Sequence, residues 1–168
     1  MIRIRVTEEM TIRAKNKAEN LGELRNSIRK GGGNEAGFLG EEATIMAYPH
    51  AYVDNTYEHD IILHGYKIEV KSKDRTVVPK PNYECSVSDY NTHQKADLYV
   101  FTSLLRTDDG YTDAYILGYS SPYYYFRNAR KILRGETDPT NNWTASCDCY
   151  NLRISKLIPP EMLNDFGA

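Results

Sequence analysis

The chain is poor in cysteine, in long apolar runs and in net charge, and each shortage removes a class of protein. Its three cysteines, Cys85, Cys147 and Cys149, are an odd and sparse set for 168 residues. That argues against a disulfide scaffold and for a reduced, cytoplasmic protein. Cys147-x-Cys149 has no second Cys or His pair at zinc-finger spacing, so no structural zinc is expected there. No apolar run approaches the roughly 18 residues of a membrane span. The opening Met1-Ile2-Arg3-Ile4-Arg5-Val6 does not read as a signal peptide, so neither membrane nor export is expected. Repeats and low-complexity segments are lacking too. The net charge of −2 gives no overall field that would advertise a polyanionic partner.

What is present is the composition of one ordinary globular domain. Charged residues make up 26% and hydrophobic ones 40%, which excludes a disordered chain. A chain of this length buries roughly 70% of its unfolded surface and sustains a core unaided. Charge is unevenly spread: residues 1–40 carry eight basic and five acidic side chains, residues 81–120 two and six. A polyanion would be gripped by the ends of the chain, and the acidic middle suits cations.

Hydrophobic spacing predicts a polar helix over 11–29 with a thin stripe through Ala14, Ala18, Leu21 and Leu24. Gly31-Gly32-Gly33 breaks it as a flexible joint, without phosphate-loop spacing. Asn34 then caps a helix over 35–48, apolar through Ala36, Phe38, Leu39, Ala43, Ile45 and Met46, which Pro49 ends. Strands are expected over 57–63 and 66–73, then a loop over 74–88 and a short helix over 88–96. Strands over 97–104 and 111–119, a basic aromatic helix over 122–134, a strand near 150–155 and a turn at Pro159-Pro160 complete a mixed α/β order.

The pair of strands at 57–73 is the most informative segment. His64-Gly65 is a two-residue turn with glycine second, the signature of a tight hairpin. It pairs Leu63 with Tyr66 and Ile61 with Ile68 on an apolar face. Continued outward, the same register sets Asp60 against Glu69, Glu58 against Lys71 and His59 against Val70. Opposed side chains have Cβ atoms about 4.5–5.5 Å apart, where like charges repel. Two carboxylates so placed are suited to share a hard divalent cation. Lys71, on the same face, can orient a water or stabilise charge on a phosphate. A solvated hairpin face is the plainer reading, and acid set against acid weighs against it.

Asp60-(eight residues)-Glu69-Val70-Lys71, with Gly37-x-x-Gly40-Glu41 on the preceding helix, resembles the PD-(D/E)xK nuclease superfamily over residues 35–103. His59 stands where that family's name-giving proline would be. The resemblance implies a restriction-endonuclease-like αβββαβ core, a mixed sheet flanked by helices. Residues 1–33 would be an N-terminal helix and linker, and 104–168 an extension of the same single domain. It further implies Asp60 and Glu69 as metal ligands with the Val70 carbonyl, Lys71 as the catalytic lysine and a helix glutamate as a further ligand. Family pattern favours Glu41 for that role, whereas a helical wheel sets Glu42 inside the apolar arc of Leu39 and Met46. Gln94 is an accessory candidate, as is His93, and both also read as ordinary polar residues.

The implied chemistry is Mg²⁺-dependent hydrolysis of a phosphodiester, with Mn²⁺ as a substitute and DNA as the expected partner. Candidate grips on nucleic acid are Lys73, Arg75 and Lys80 after the motif, and Arg127, Arg130 and Lys131 beside Tyr123, Tyr124, Tyr125 and Phe126. An amphipathic helix with buried rings explains the second set equally well. Alternatives are a homodimeric Holliday-junction resolvase, or a module on the same fold that binds nucleic acid or protein without cutting.

Overall fold

The computed structural model describes residues 1–21, 34–54, 56, 58–138 and 142–164. Within them the chain runs β1 (Ile2–Arg5), α1 (Glu8–Leu21), α2 (Asn34–Ala47), β2 (Tyr52–Val53), β3 (Ile61–Leu63) and β4 (Tyr66–Arg75). It continues through β5 (Glu84–Ser88), β6 (Leu98–Thr107), β7 (Gly110–Ser120), α3 (Pro122–Asn128), β8 (Arg130–Ile132), β9 (Thr137–Asp138), β10 (Trp143–Thr144) and β11 (Cys149–Arg153). No helix among these residues is long and apolar enough to cross a membrane. The rest of the helix expected over 11–29, with Leu24, the side chains of Leu21 and Asn34, the Gly31–Gly33 joint and Tyr57 all lie outside the described residues.

A six-stranded mixed sheet, ordered β1-β7-β6-β4-β3-β2, organises the molecule. Its one parallel pair is β4 with β6, and every other neighbour is antiparallel. Alternation along β6 explains why both faces are covered. Leu98, Val100 and Leu104 join the core under α1 and α2, with Met10, Ala14, Leu39 and Ala43. Tyr99 and Phe101 point the other way, into a second core with Cys85, Val87, Tyr125, Leu152 and Leu157. That second layer is a small antiparallel sheet, β5-β11-β8, together with α3. A two-stranded sheet, β10-β9, lies outside both. The class is mixed α/β.

The hairpin forms in the expected register, Ile61 with Ile68 and Leu63 with Tyr66. His64 and Gly65 both have positive φ, 51° and 82°, as a twist-matched two-residue turn requires. The ladder is shorter than expected, because β3 begins at Ile61 rather than 57. Glu58 therefore does not oppose Lys71; it lies 3.5 Å from Lys95. His59 is buried, and its ring meets Thr56 Oγ1 at 3.0 Å and Asp54 Oδ2 at 3.1 Å.

Three other departures share one cause, pairing with partners distant in sequence. The opening Ile2-Arg3-Ile4-Arg5 is an edge strand on β7, with Arg3 Nε donating to Asp113 Oδ1 at 2.8 Å. The expected loop over 74–88 contains β5, which pairs with β11. The helix expected over 122–134 stops at Asn128, since Ala129 is extended and Arg130–Ile132 joins β11. The helix expected over 88–96 contracts to one 3₁₀ turn, Asp89–Asn91, capped by the Ser88 side chain.

Candidate active site

Glu41 reaches the site because of the residue before it. A Cβ on Gly40 would collide with Ser72 Oγ and lie 2.6 Å from Thr102 Oγ1. Only glycine lets α2 approach β4 and β6 this closely. The next residue, Glu41, is 7% exposed, and its Oε2 makes no hydrogen bond. Its carboxyl is pushed up to about 8 by burial first and then by the negative field of Asp60, with Glu69 adding to it.

Glu42 faces elsewhere. Arg13 of α1 holds it through Nε at 3.0 Å and Nη2 at 2.7 Å, and Lys17 lies 4.0 Å away. The helical-wheel argument for Glu42 fails because Met46, which anchored its apolar arc, is 55% exposed. Glu42 is thus a fastener between α1 and α2, and Glu41 is the inward acid.

Asp60 lies just before β3. Its main chain stays in the hairpin, with the amide donating to Ile68 O at 3.0 Å. Its Oδ2 accepts the Val70 amide at 2.8 Å. Burial, then Glu69, pushes its carboxyl well above the usual range, against the pull of the Val70 N–H and Lys71.

Glu69 and Lys71 project from β4 toward the second layer, on the face opposite Ile68 and Val70. Lys71 Nζ donates to Glu69 Oε1 at 2.7 Å and to Gln94 Oε1 at 2.7 Å. Gln94 Nε2 returns a bond to Glu69 Oε1 at 2.9 Å, closing a three-membered ring of contacts. Gln94 therefore belongs to the site, and His93 beside it is exposed. Sequence reasoning missed Tyr99, whose ring lies 5.6 Å from Lys71 Nζ and whose hydroxyl is buried without a partner. Tyr99 is the parallel-register partner of Glu69, a pairing that spacing within β6 alone does not reveal.

The proposed grips divide. Lys73 continues the Glu69–Lys71 face, with Nζ 3.3 Å from Ser86 Oγ and 5.6 Å from the Trp143 ring. Arg75 is committed inward, donating to Glu84 O at 2.6 Å and stacking on Tyr83. Lys80 is exposed in the loop beyond. Arg127, Arg130 and Lys131 do not form one helical face. Arg127 bonds Tyr123 Oη, while Arg130 in β8 meets Asp138 at 3.0 Å and Glu84 at 3.6 Å. Lys131 reaches Asp89 at 3.4 Å. Two of these three cations are already paired with carboxylates, which disfavours the basic-helix grip.

Chemically, the cluster is a set of hard oxygen donors beside a held amine. Among the described residues no three His, Cys, Asp or Glu side chains stand close enough to hold an ion as placed. Asp60 is turned to a backbone amide and Glu69 to Lys71 and Gln94. The orphaned Oε2 of Glu41 and the mutual repulsion of the acids are what a hard divalent cation relieves, so the donor set fits Mg²⁺ or Mn²⁺ in kind. No family model matches the chain, and no curated protein matches it.

Proposed function

We propose that the chain is a metal-dependent nuclease of the PD-(D/E)xK type, hydrolysing phosphodiester bonds in DNA. In this reading α2, β2, β3, β4 and β6 are its restriction-endonuclease-like core, with the second helix of that core reduced to the 3₁₀ turn before β6. The observation that carries it is Glu41: a buried carboxyl with an unpartnered oxygen, in the field of Asp60 and of Glu69, the acid that Lys71 holds. A buried acid left unsatisfied costs stability, and a ligand role explains its retention.

Glu41, Asp60 and Glu69 would hold Mg²⁺ or Mn²⁺. When bound, such an ion neutralises phosphate charge and makes a water acidic enough to attack. The chain's own part is positioning. Gly40 brings α2 onto the sheet so that Glu41 faces the hairpin acids. The Val70 amide fixes the Asp60 carboxylate. Gln94 and Tyr99 hold Lys71 on the site face, where its Nζ can donate to the attacking water or to a phosphate oxygen.

The direct test is incubation of labelled single- and double-stranded DNA with the wild type and Lys71→Ala, with and without Mg²⁺ or Mn²⁺. Cleavage by the wild type alone, and only with metal, supports the reading. Equal cleavage by both proteins, or none under any condition, overturns it.

A further inference from the structure

Lys73 is two residues beyond Lys71 on the same strand and face, so their Cα atoms are about 6.6 Å apart. No carboxylate stands within ion-pair distance of Lys73 among the described residues, unlike Lys71, Arg130 and Lys131. Its neighbour on that face is Arg75, also a cation, and burial together with Arg75 depresses the Lys73 amine. Lys71, Lys73 and Arg75 thus follow one another along one face of β4.

Over Lys73 lies Trp143, the chain's single tryptophan. It sits on the outlying β9–β10 hairpin, where Trp143 pairs with Asp138, and it is 39% exposed. Its ring thus carries a cation on its face and keeps part of its surface open to solvent.

We propose that Trp143 and Lys73 form a subsite for one unpaired nucleotide next to the scissile phosphate, the base stacking on Trp143 and a phosphate oxygen meeting Lys73. A base is free to stack on a side chain only when it is not paired in a duplex, so the substrate segment at this point is single-stranded. Base–aromatic stacking tolerates any sequence, because every base has a π-face. The inference rests on the nuclease reading for the role of its neighbour Lys71, yet its test needs no cleavage.

Trp143 is its own reporter. In EDTA, a labelled oligothymidylate and a blunt duplex of equal length are titrated, reading label anisotropy and tryptophan emission together. The expected result is saturable emission quenching by the single strand at the concentrations that raise anisotropy, with a weaker response to the duplex. Trp143→Leu should weaken single-strand binding about tenfold, and Trp143→Phe, which keeps a stacking ring, should restore most of it. Lys73→Gln should make the salt dependence of log K shallower by about 0.7, one phosphate contact on a single strand. Rising anisotropy with unchanged emission overturns the subsite, as does unaltered binding by Trp143→Leu. Quenching by a protein that fails to cut would sink the nuclease reading and leave the subsite standing.

Discussion

Lys71 Nζ lies 2.7 Å from Glu69 Oε1, an ion pair between two residues of one strand, each side chain 10% exposed. The period of two along a strand puts them on the same face, and Gln94 bonds both. Breaking a buried pair by deleting one partner typically costs about 3–5 kcal/mol, because the other charge is left uncompensated. Lys71→Ala should therefore abolish cleavage and also lower the metal-free melting temperature. Mg²⁺ or Mn²⁺ should then raise that temperature more in the variant than in the wild type, since Glu69 is released to the ion. Differential scanning fluorimetry with and without metal checks both signs.

Glu41 makes metal-free stability depend on pH. Its folded value, about 8, lies above the unfolded value of about 4.5, so between these the native state holds the extra proton. Stability then falls as pH rises through that window, the reverse of an ordinary paired carboxylate. Metal-free melting temperatures should decline from pH 5 to pH 8, and Glu41→Gln should flatten the decline. With divalent metal the slope should also flatten, because the ion replaces the proton. A metal-free slope that is the same in wild type and Glu41→Gln would remove Glu41 from the account.

Asp60→Asn separates the charge of this residue from its hydrogen bond. An asparagine oxygen can still accept the Val70 amide, while the repulsion from Glu69 disappears. The variant should be as stable as the metal-free wild type or more so. Metal at about a hundred times its dissociation constant should add about 2.7 kcal/mol to the wild type, on the order of 5–10 °C at this chain length. Asp60→Asn should gain almost none of it and should not cut. Equal metal-induced shifts in the two proteins would count against Asp60 as a ligand.

Gly40→Ala tests how the helix acid is delivered. The new methyl group meets Ser72 Oγ and Thr102 Oγ1, and overpacking of this kind costs about 1–3 kcal/mol. The shift of α2 should lift Glu41 from the site, so metal affinity should fall together with stability. Adding Ser72→Ala should recover part of each. Thermal melts and metal titrations of the single and double variants give the comparison.

Local chemistry alone settles much of this protein. The His64-Gly65 turn sets the hairpin register, because a two-residue loop with positive φ at both positions leaves one way to pair the flanking strands. That register makes Asp60 and Glu69 neighbours, and the strand period adds Lys71. The Gly40-Glu41 step was legible as a pattern, whereas its reason is tertiary: the glycine matters only against Ser72 and Thr102, some thirty and sixty residues away.

The contest between Glu41 and Glu42 shows where one-dimensional reasoning stops. A helical wheel weighs Met46 as core, but α2 packs against both α1 and the sheet, and Met46 falls outside both contacts. Only the position of Arg13 shows that Glu42 belongs to the α1 interface. Strands β1, β5 and β8 were hidden for a related reason. They are short segments whose hydrogen bonds close with β7 or β11, from 17 to more than 100 residues away in sequence. Tyr99 beneath Lys71 depends on the same long-range pairing, and Trp143 beside Lys73 on packing between strands that do not pair. Periodicity and turn chemistry therefore determined which residues share a strand face. The meeting of distant faces, set by burial of two separate cores against one sheet, decided which of them share a site.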